Sequence, residues 1–297
     1  MSIDDEALVR RFARAAEPLH SCGYYAQEIT QFTNLGYRGW WHAYFAYRSA
    51  PLGAASAAEV TDTFYNFAPR MVERAVPNCW SILDPQETRG KHLEFLEAAL
   101  TRIFDSFSFP TSLDPLVDAL ADTLPRLNTE GRPLFCAWAN EPWPDSPLLG
   151  LWHASTLLRE YRFDAHNQAL RTADISGLGC HLLMVADGRG SPEVIQKIRG
   201  WTQEEWEDEA IDLNKRGWLD SSMRYTDVGR SQRKLIEADT DKGCLELCSA
   251  LDKTTVTNSL LALEAVAQYL IESGVVPGRW PPAHLGNLDP STEQDYR

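Results

Sequence analysis

Apolar residues recur at helical spacing along most of the chain, and the sustained alternation that predicts β-strands is almost absent. Helix start signals divide this pattern into segments. Ser56 and Glu59 have the spacing of a capping box, and Pro69 and Pro85 stand in the first turns of further helices. The pattern therefore predicts a mainly helical fold. The predicted helices of this part cover residues 3–22, 40–47, 57–67, 71–76, 85–104, 114–124 and 148–161.

The pattern changes between residues 191 and 241, where short apolar repeats alternate with turn signals. Thr202 is placed to cap one helix, and Gly217 is placed to end it. The predicted segments are a helix over 192–198, a turn, a helix over 202–215, a small β-wing over 219–226 and a helix over 227–240. This order is that of a winged helix-turn-helix.

One motif occurs twice with identical internal spacing. Trp41-His42-Ala43 is followed by Arg48, and Trp152-His153-Ala154 is followed by Arg159. Positions i and i+7 of a helix share a face, so each tryptophan lies in line with its arginine. We interpret the motif as the trace of a duplicated helical unit, an internal pseudo-repeat that places the two copies on either side of a shared cleft.

Several separate motifs follow one another in a recognisable order. They are Phe64-Tyr65-Asn66-Phe67-Ala68-Pro69, Trp143-Pro144-Asp145, Leu151-Trp152-His153-Ala154, Leu158-Arg159-Glu160 with Asp164 and His166, Gly200-Trp201-Thr202-Gln203-Glu204-Glu205-Trp206, Arg216-Gly217-Trp218-Leu219-Asp220 and Tyr225-Thr226-Asp227-Val228-Gly229-Arg230. On these motifs, residues 10–250 resemble an actinobacterial family of MarR-like winged-helix proteins that brings no secure activity. The chain departs from the family where Tyr161 and Phe163 replace a His and a Gly, and its last 45 or so residues are additional.

The resemblance and the repeat together suggest three parts, with residues 128–133 as a linker. Residues 1–127 form a helical N-terminal domain with the first copy of the motif. Residues 128–250 form a MarR-like winged-helix domain with the second copy, and residues 251–297 form a C-terminal helix and a polar tail. The resemblance also implies a homodimer as one assembly, although an internal repeat can replace a dimer within one chain.

Net charge argues against anionic partners, because the chain carries −14 at neutral pH. Such a surface repels nucleic acids and anionic membranes unless a local basic patch overrides it. The chain has no long apolar stretch and a polar start, which predicts a cytoplasmic protein.

The six cysteines are scattered, so we interpret them as buried thiols. Cys244 and Cys248 lie one helical turn apart, but with no nearby histidine we predict no metal site.

The predicted recognition helix is acidic where DNA binding needs basic side chains. Between Thr202 and Arg216 it carries six carboxylates against Lys215 and Arg216. Arg224 and Arg230 beyond it are the features that favour DNA. We therefore interpret the winged helix as a scaffold that no longer reads DNA.

Candidate chemistry concentrates around the second copy of the motif. Arg159, Arg162 and His166 fall on one helical face, where they could hold a carboxylate or phosphate. Asp164 could fix the tautomer of an imidazole, so His153, His166 and Asp164 are the catalytic candidates. The candidate ligand-binding residues are Arg159, Arg162, Trp152, Trp41, His42, Arg48, Tyr65 and Asn66. The alternatives are that the arginines form structural ion pairs with Glu160, Glu141 or Asp145, and that His42 packs in the core.

These observations favour a small-molecule-binding protein with an aromatic cleft between its halves and an Arg/His anchor for a small aromatic or anionic metabolite. An enzyme of actinobacterial specialised metabolism is one form of this hypothesis. No cofactor is indicated, because nucleotide loops and common hydrolase and zinc motifs are absent from the sequence. The alternatives are a ligand-responsive MarR-type transcription regulator and a protein whose acidic surface binds a basic partner.

Overall fold

The computed structural model describes residues 3–276, and within that range the fold is built from helices joined by short turns. The prediction of a mainly helical fold is confirmed. The helices are α1 (Ile3–Tyr25), α2 (Trp40–Ser49), α3 (Ala57–Phe64), α4 (Pro69–Glu73), α5 (Pro85–Ile103), α6 (Leu113–Thr123), α7 (Pro133–Ala139), α8 (Pro147–Thr172), α9 (Gly177–Ala186), α10 (Pro192–Arg199), α11 (Gln203–Lys215), α12 (Asp227–Gly243), α13 (Glu246–Ala250) and α14 (Lys253–Glu272). Short 3-10 segments cover Gln27–Leu35, Ala50–Leu52, Asn78–Ser81 and Leu124–Arg126.

Side-chain caps fix several of the helix starts. Ser56 and Glu59 form the predicted capping box at α3, and Thr202 and Glu205 form another at α11. α3 ends at Phe64, three residues earlier than predicted, because Tyr65 adopts a positive φ of 63° that a helix cannot continue. The local signals therefore set these boundaries to within one turn.

Helix α8 is the central element of the fold and extends well beyond its predicted end. It runs for 26 residues instead of stopping near residue 161, since no glycine or proline interrupts it between Leu151 and Thr172. It packs against α1, α12, α6 and α7, and buries residues on all sides. A helix that is enclosed in this way lies in the core.

The predicted β-wing is reduced to a single bridge. Leu219 and Tyr225 pair across a tight turn in which Met223 has a φ of 58°. Gly217, with a φ of 72°, ends the segment after α11 as the sequence indicated. The segment from α10 to α12 thus keeps the order of a winged helix, with a wing too short to form a two-stranded sheet.

Buried apolar residues fall into two clusters. The larger one contains residues of α1 through α8 together with α13 and α14. The smaller one joins the end of α8 to α9, α10, α11 and α12.

The predicted linker before α7 is anchored, because Arg132 is 6% exposed and donates to the carbonyl oxygens of Tyr161 and Gly243. The predicted polar tail lies outside the described residues.

Candidate functional site

The two arginines of the repeated motif meet at one buried carboxylate. Arg48 Nη2 lies 3.4 Å from Glu160 Oε1, and Arg159 Nη1 donates to Glu160 Oε2 at 2.6 Å. Glu160 is 0% exposed. The two copies of the motif, on α2 and α8, therefore end at a single ion-pair network, and the structural ion pair foreseen between Arg159 and Glu160 is formed.

Two further charged residues complete this cluster, which we call the arginine centre (Glu17, Arg48, Arg159, Glu160 and Arg199). Arg159 Nε lies 3.3 Å from Glu17 Oε2, and burial raises the pKa of Glu17. Arg199 comes from the end of α10, is 9% exposed, and stacks its guanidinium 4.2 Å from the centroid of the Phe67 ring. Glu17 and Arg199 were not among the predicted site residues.

A neutral histidine borders the arginine centre. His20 Nδ1 lies 3.0 Å from Thr156 Oγ1, and its Nε2 lies 2.8 Å from the Tyr24 hydroxyl. Burial, followed by Arg159 and Arg48, lowers the pKa of His20 well below its ordinary value. His20 was not predicted, because a single histidine on an apolar helix gives no signal of its neighbours.

The aromatic residues of the two motif copies lie in different surroundings. The Trp41 ring contacts Tyr44, Phe45 and Phe67, whereas Trp152, which is 2% exposed, packs against the side chains of His20, His92 and Trp138. Trp152 is thus a core side chain, and the expected aromatic wall of an open cleft does not form around it.

The histidines of the two copies are also buried. His42 is 5% exposed and accepts a hydrogen bond from the Arg38 amide through Nδ1 at 3.3 Å. His153 is 1% exposed between Trp138 and Trp143, and neither ring nitrogen has a hydrogen-bond partner among the described residues. Burial lowers the pKa of His153 to about 3.

The three catalytic candidates, His153, Asp164 and His166, have separate partners. Asp164 accepts hydrogen bonds from the backbone amides of Leu134 and Phe135 at 3.0 and 2.8 Å, so it caps α7 and does not orient an imidazole. His166 Nδ1 lies 3.0 Å from Thr240 Oγ1, and burial lowers its pKa to about 4. All three side chains lie on α8, but each contacts different residues, so they do not form one group.

Arg162 lies in an open groove on another side of α8, away from the ion pairs of Arg159. The groove has a volume of about 540 Å³ and lies between α1, α8, the loop after α9, and α12. We call it the basic groove. It is lined by Arg10, Arg14, Arg162, Arg189, Arg233, Lys234, Asp187, Glu237 and Ala13. Of these, only Arg162 was predicted, since the other cations are scattered over three segments of the sequence.

A buried carboxylate positions two arginines of the basic groove. Asp241 is 0% exposed and accepts from Arg10 Nε and Arg162 Nη1, both at 2.5 Å. Arg233 Nη2 pairs with Glu237 at 2.5 Å, and Arg189 pairs with Asp187 at 2.8 Å. Arg14 and Lys234 are exposed and have no carboxylate partner within residues 3–276.

Tyr65 and Asn66 join the N-terminal helices to the helix-turn-helix segment. The Tyr65 hydroxyl donates to the Ile175 carbonyl oxygen, and the Asn66 carbonyl oxygen lies 2.9 Å from His181 Nε2. A Cβ on Gly177 would lie 1.9 Å from the Tyr65 carbonyl oxygen, so only glycine permits this approach. The Tyr65 side chain and the Asn66 carbonyl thus join the two parts of the fold, and ligand binding by these two residues stays a prediction.

The helix-turn-helix unit presents an acidic α11. Its exposed residues are Gln203, Glu204, Glu207, Asp208, Ile211, Asp212, Asn214 and Lys215. The two arginines that favoured DNA are each beside a carboxylate, Arg224 at 3.4 Å from Asp220 and Arg230 at 3.0 Å from Asp227. The element that would approach phosphates is therefore negatively charged.

Residues 3–276 contain no group of three or more His, Cys, Asp or Glu side chains that could hold a metal ion. None of the described helices is both long enough and apolar enough to cross a bilayer. Cys22, Cys79 and Cys244 are buried thiols, and the described cysteines form no disulfide.

Comparison with known proteins gives one match. Residues 9–277 match the model of a family described as a helix-turn-helix family. No curated protein and no solved structure matched the chain. The match spans most of the chain, and the α10–turn–α11 unit described above lies within it. The protein therefore belongs to this helix-turn-helix family.

Proposed function

We propose that the protein binds an anionic small molecule in the basic groove, on a helix-turn-helix scaffold whose α11 does not read DNA. The observation that supports this proposal is the groove itself, which six cationic side chains line together with two carboxylates, while a third carboxylate, Asp241, lies buried behind Arg10 and Arg162. The excess of cations is local, because the chain as a whole carries a net charge of −14. A small anion is attracted to such a groove, whereas a long polyanion must also meet the acidic surface around it.

The chemistry of the groove indicates a ligand with more than one negative charge. Its volume of about 540 Å³ lies in the range of small-molecule sites. Arg10 and Arg162 are held in place by Asp241, so their guanidinium groups lose little freedom when an anion binds. Guanidinium groups match the oxygens of phosphates and carboxylates. No aromatic ring lines the groove, so the proposal favours an anionic ligand over an aromatic one.

The test is calorimetric titration with inorganic pyrophosphate at low ionic strength. We expect saturable binding to the unmodified protein. Replacing both Arg14 and Lys234 with Ser should weaken it by about tenfold or more, since two unpaired cations of the site are lost. Both side chains are exposed and unpaired within residues 3–276, so their removal should leave the fold intact.

A matched control removes two charges elsewhere. Arg74 and Arg126 are exposed and do not line the groove, so replacing both with Ser changes net charge equally. This control should bind pyrophosphate like the unmodified protein. Equal weakening in the control and the groove variant, or no binding at all, would show that the groove is not a specific site.

The alternative is a ligand-responsive transcription regulator of the MarR type, which the family match favours at the level of a helix-turn-helix. It requires DNA contact through α11. A gel-shift experiment with the DNA upstream of the protein's own gene, at low salt, separates the two. We expect no sequence-specific complex, because Glu204, Glu207 and Asp208 are exposed on α11. A tight complex that competes away only with its own sequence would favour the regulator.

A further inference from the structure

The arginine centre contains more positive than negative charge. Arg48 and Arg199 are 4% and 9% exposed, and with Arg159 they supply three guanidinium groups against the two carboxylates Glu17 and Glu160. Arginine stays protonated in proteins, so this excess cannot be removed by deprotonation.

Arg199 is the cation without a counter-charge. Arg48 and Arg159 each have a carboxylate within 3.4 Å, but Arg199 has no carboxylate within ion-pair distance among the described residues. Its contact is with the face of the Phe67 ring. The Phe67 ring lies 6.3 Å from the Phe64 ring, and the Arg48 guanidinium lies 4.4 Å from the centroid of Phe64, so Arg48 and Arg199 contact two neighbouring rings. Burial lowers the pKa of Arg199, as do the charges of Arg48 and Arg159. Its guanidinium nitrogens are not among the enclosed side-chain atoms without a partner, so they stay accessible to solvent ions, and a cation–π contact alone does not balance the charge.

Arg48, in the same cluster, has a buried hydrogen-bond donor without an acceptor. Its Nη1 donates to the Tyr44 hydroxyl at 2.6 Å and its Nη2 faces Glu160, while its enclosed Nε has no acceptor among the described residues. A buried donor without an acceptor is rare in folded proteins. Arg159 has a side chain that is 21% exposed, so the cluster reaches the surface there.

We propose that the arginine centre binds a small monovalent anion, a chloride ion or a short carboxylate, against Arg199 and Arg48. The anion would balance the charge of Arg199 and accept a hydrogen bond from Arg48. This site is separate from the basic groove, in which neither residue takes part.

The test compares anions at constant ionic strength and at pH 7.5. Thermal unfolding is measured in the sodium salt of a bulky sulfonate and then with chloride or acetate in its place. We expect chloride or acetate to raise the Tm of the unmodified protein by about 2 °C or more, because an anion that binds the folded state stabilises it. Broadening of the chloride-35 NMR signal by the protein provides a direct measure of chloride binding.

Arg199→Met distinguishes an anion-binding arginine from an arginine that stays unpaired and binds no anion. Without its charge, the protein should lose the Tm dependence on chloride and acetate, and in the sulfonate salt it should be at least as stable as the unmodified protein. Arg199→Lys keeps the charge and should keep part of the anion dependence. Arg126→Met removes an exposed arginine and should leave that dependence unchanged.

Two outcomes would overturn the proposal. One is a Tm of the unmodified protein that is the same in all the salts. The other is an anion dependence that persists in Arg199→Met, which would place the anion elsewhere on the surface. The groove variant with Ser at positions 14 and 234 retains the arginine centre, so the results on the two sites can be told apart.

Discussion

Glu160→Gln is expected to lower the free energy of unfolding by about 3–5 kcal/mol, the usual result when one partner of a buried ion pair is removed. Glu160 is fully buried between Arg48 and Arg159. A glutamine of nearly the same size leaves both guanidinium groups without that counter-charge, and the already unpaired Arg199 lies nearby. Urea unfolding followed by circular dichroism measures the change.

The control for this prediction is an exposed ion pair. Glu264 pairs with Arg11 at 2.5 Å, and both side chains are well exposed, at 41% and 57%. Glu264→Gln should change the free energy of unfolding by about 1 kcal/mol or less, because water screens such pairs. If Glu160→Gln costs no more than Glu264→Gln, water enters the arginine centre and the buried network described above is wrong.

Local signals in the sequence predicted most of the helices but not the lengths that depend on packing. The capping residues Ser56 and Thr202 act on neighbouring backbone amides, so their effect can be read from a few positions. The absence of glycine and proline after Leu151 permits α8 to continue, and the helices that enclose it stabilise it as far as Thr172. The predicted wing forms only one bridge because a strand needs a paired partner, and the short turn near Met223 leaves too few residues to pair.

The repeated motif located the arginine centre, yet the sequence did not show what the arginines contact. Arg48 and Arg159 meet at Glu160, which lies next to Arg159 and was foreseen as its ion-pair partner. Glu17 and Arg199 come from α1 and α10, and only the tertiary fold brings them there. A helical face predicts which side chains point the same way, but their partners are chosen by the elements that pack against that face.

Asp164 illustrates the same limit in the catalytic prediction. On the sequence it lies two residues from His166, close enough to suggest an Asp–His pair. In the fold it accepts from two amides at the start of α7, and burial raises its pKa to about 7. The polar side chains of α8 therefore serve mainly to join helices, while the open, multiply charged surface is the basic groove.

Acidification is expected to unfold the protein steeply between about pH 6.5 and pH 4.5, because its buried histidines are held neutral. All six histidines within residues 3–276 have a lowered pKa, first of all through burial. The pKa is about 3 for His92, His153 and His181 and about 4 for His166. A lowered histidine pKa gives stability that is complete above the unfolded pKa of about 6.5 and is lost as the pH falls below it.

Asp164 acts in the opposite direction. Its folded pKa of about 7 lies above the ordinary value, so the stability from its protonated form is present below about pH 4 and is lost as the pH rises to about 7. Near pH 5.5, the histidines should take up about five protons on unfolding, whereas Asp164 should release about one. Unfolding should therefore take up about four protons. The free energy of unfolding should then fall by about 5 kcal/mol per pH unit. Urea unfolding at a series of pH values measures this slope.

Two substitutions should change the slope with opposite signs, and this pair separates the histidine mechanism from general acid denaturation. His153→Leu removes one buried imidazole that has no hydrogen-bond partner among the described residues, and should reduce the slope by about 1.4 kcal/mol per pH unit. Asp164→Asn keeps an acceptor for the α7 amides but removes the opposing proton, so the slope should steepen by about the same amount. A slope equivalent to less than one proton in the unmodified protein would mean that the histidines are already solvated, whereas equal slopes in the two variants would assign the acid sensitivity to other groups.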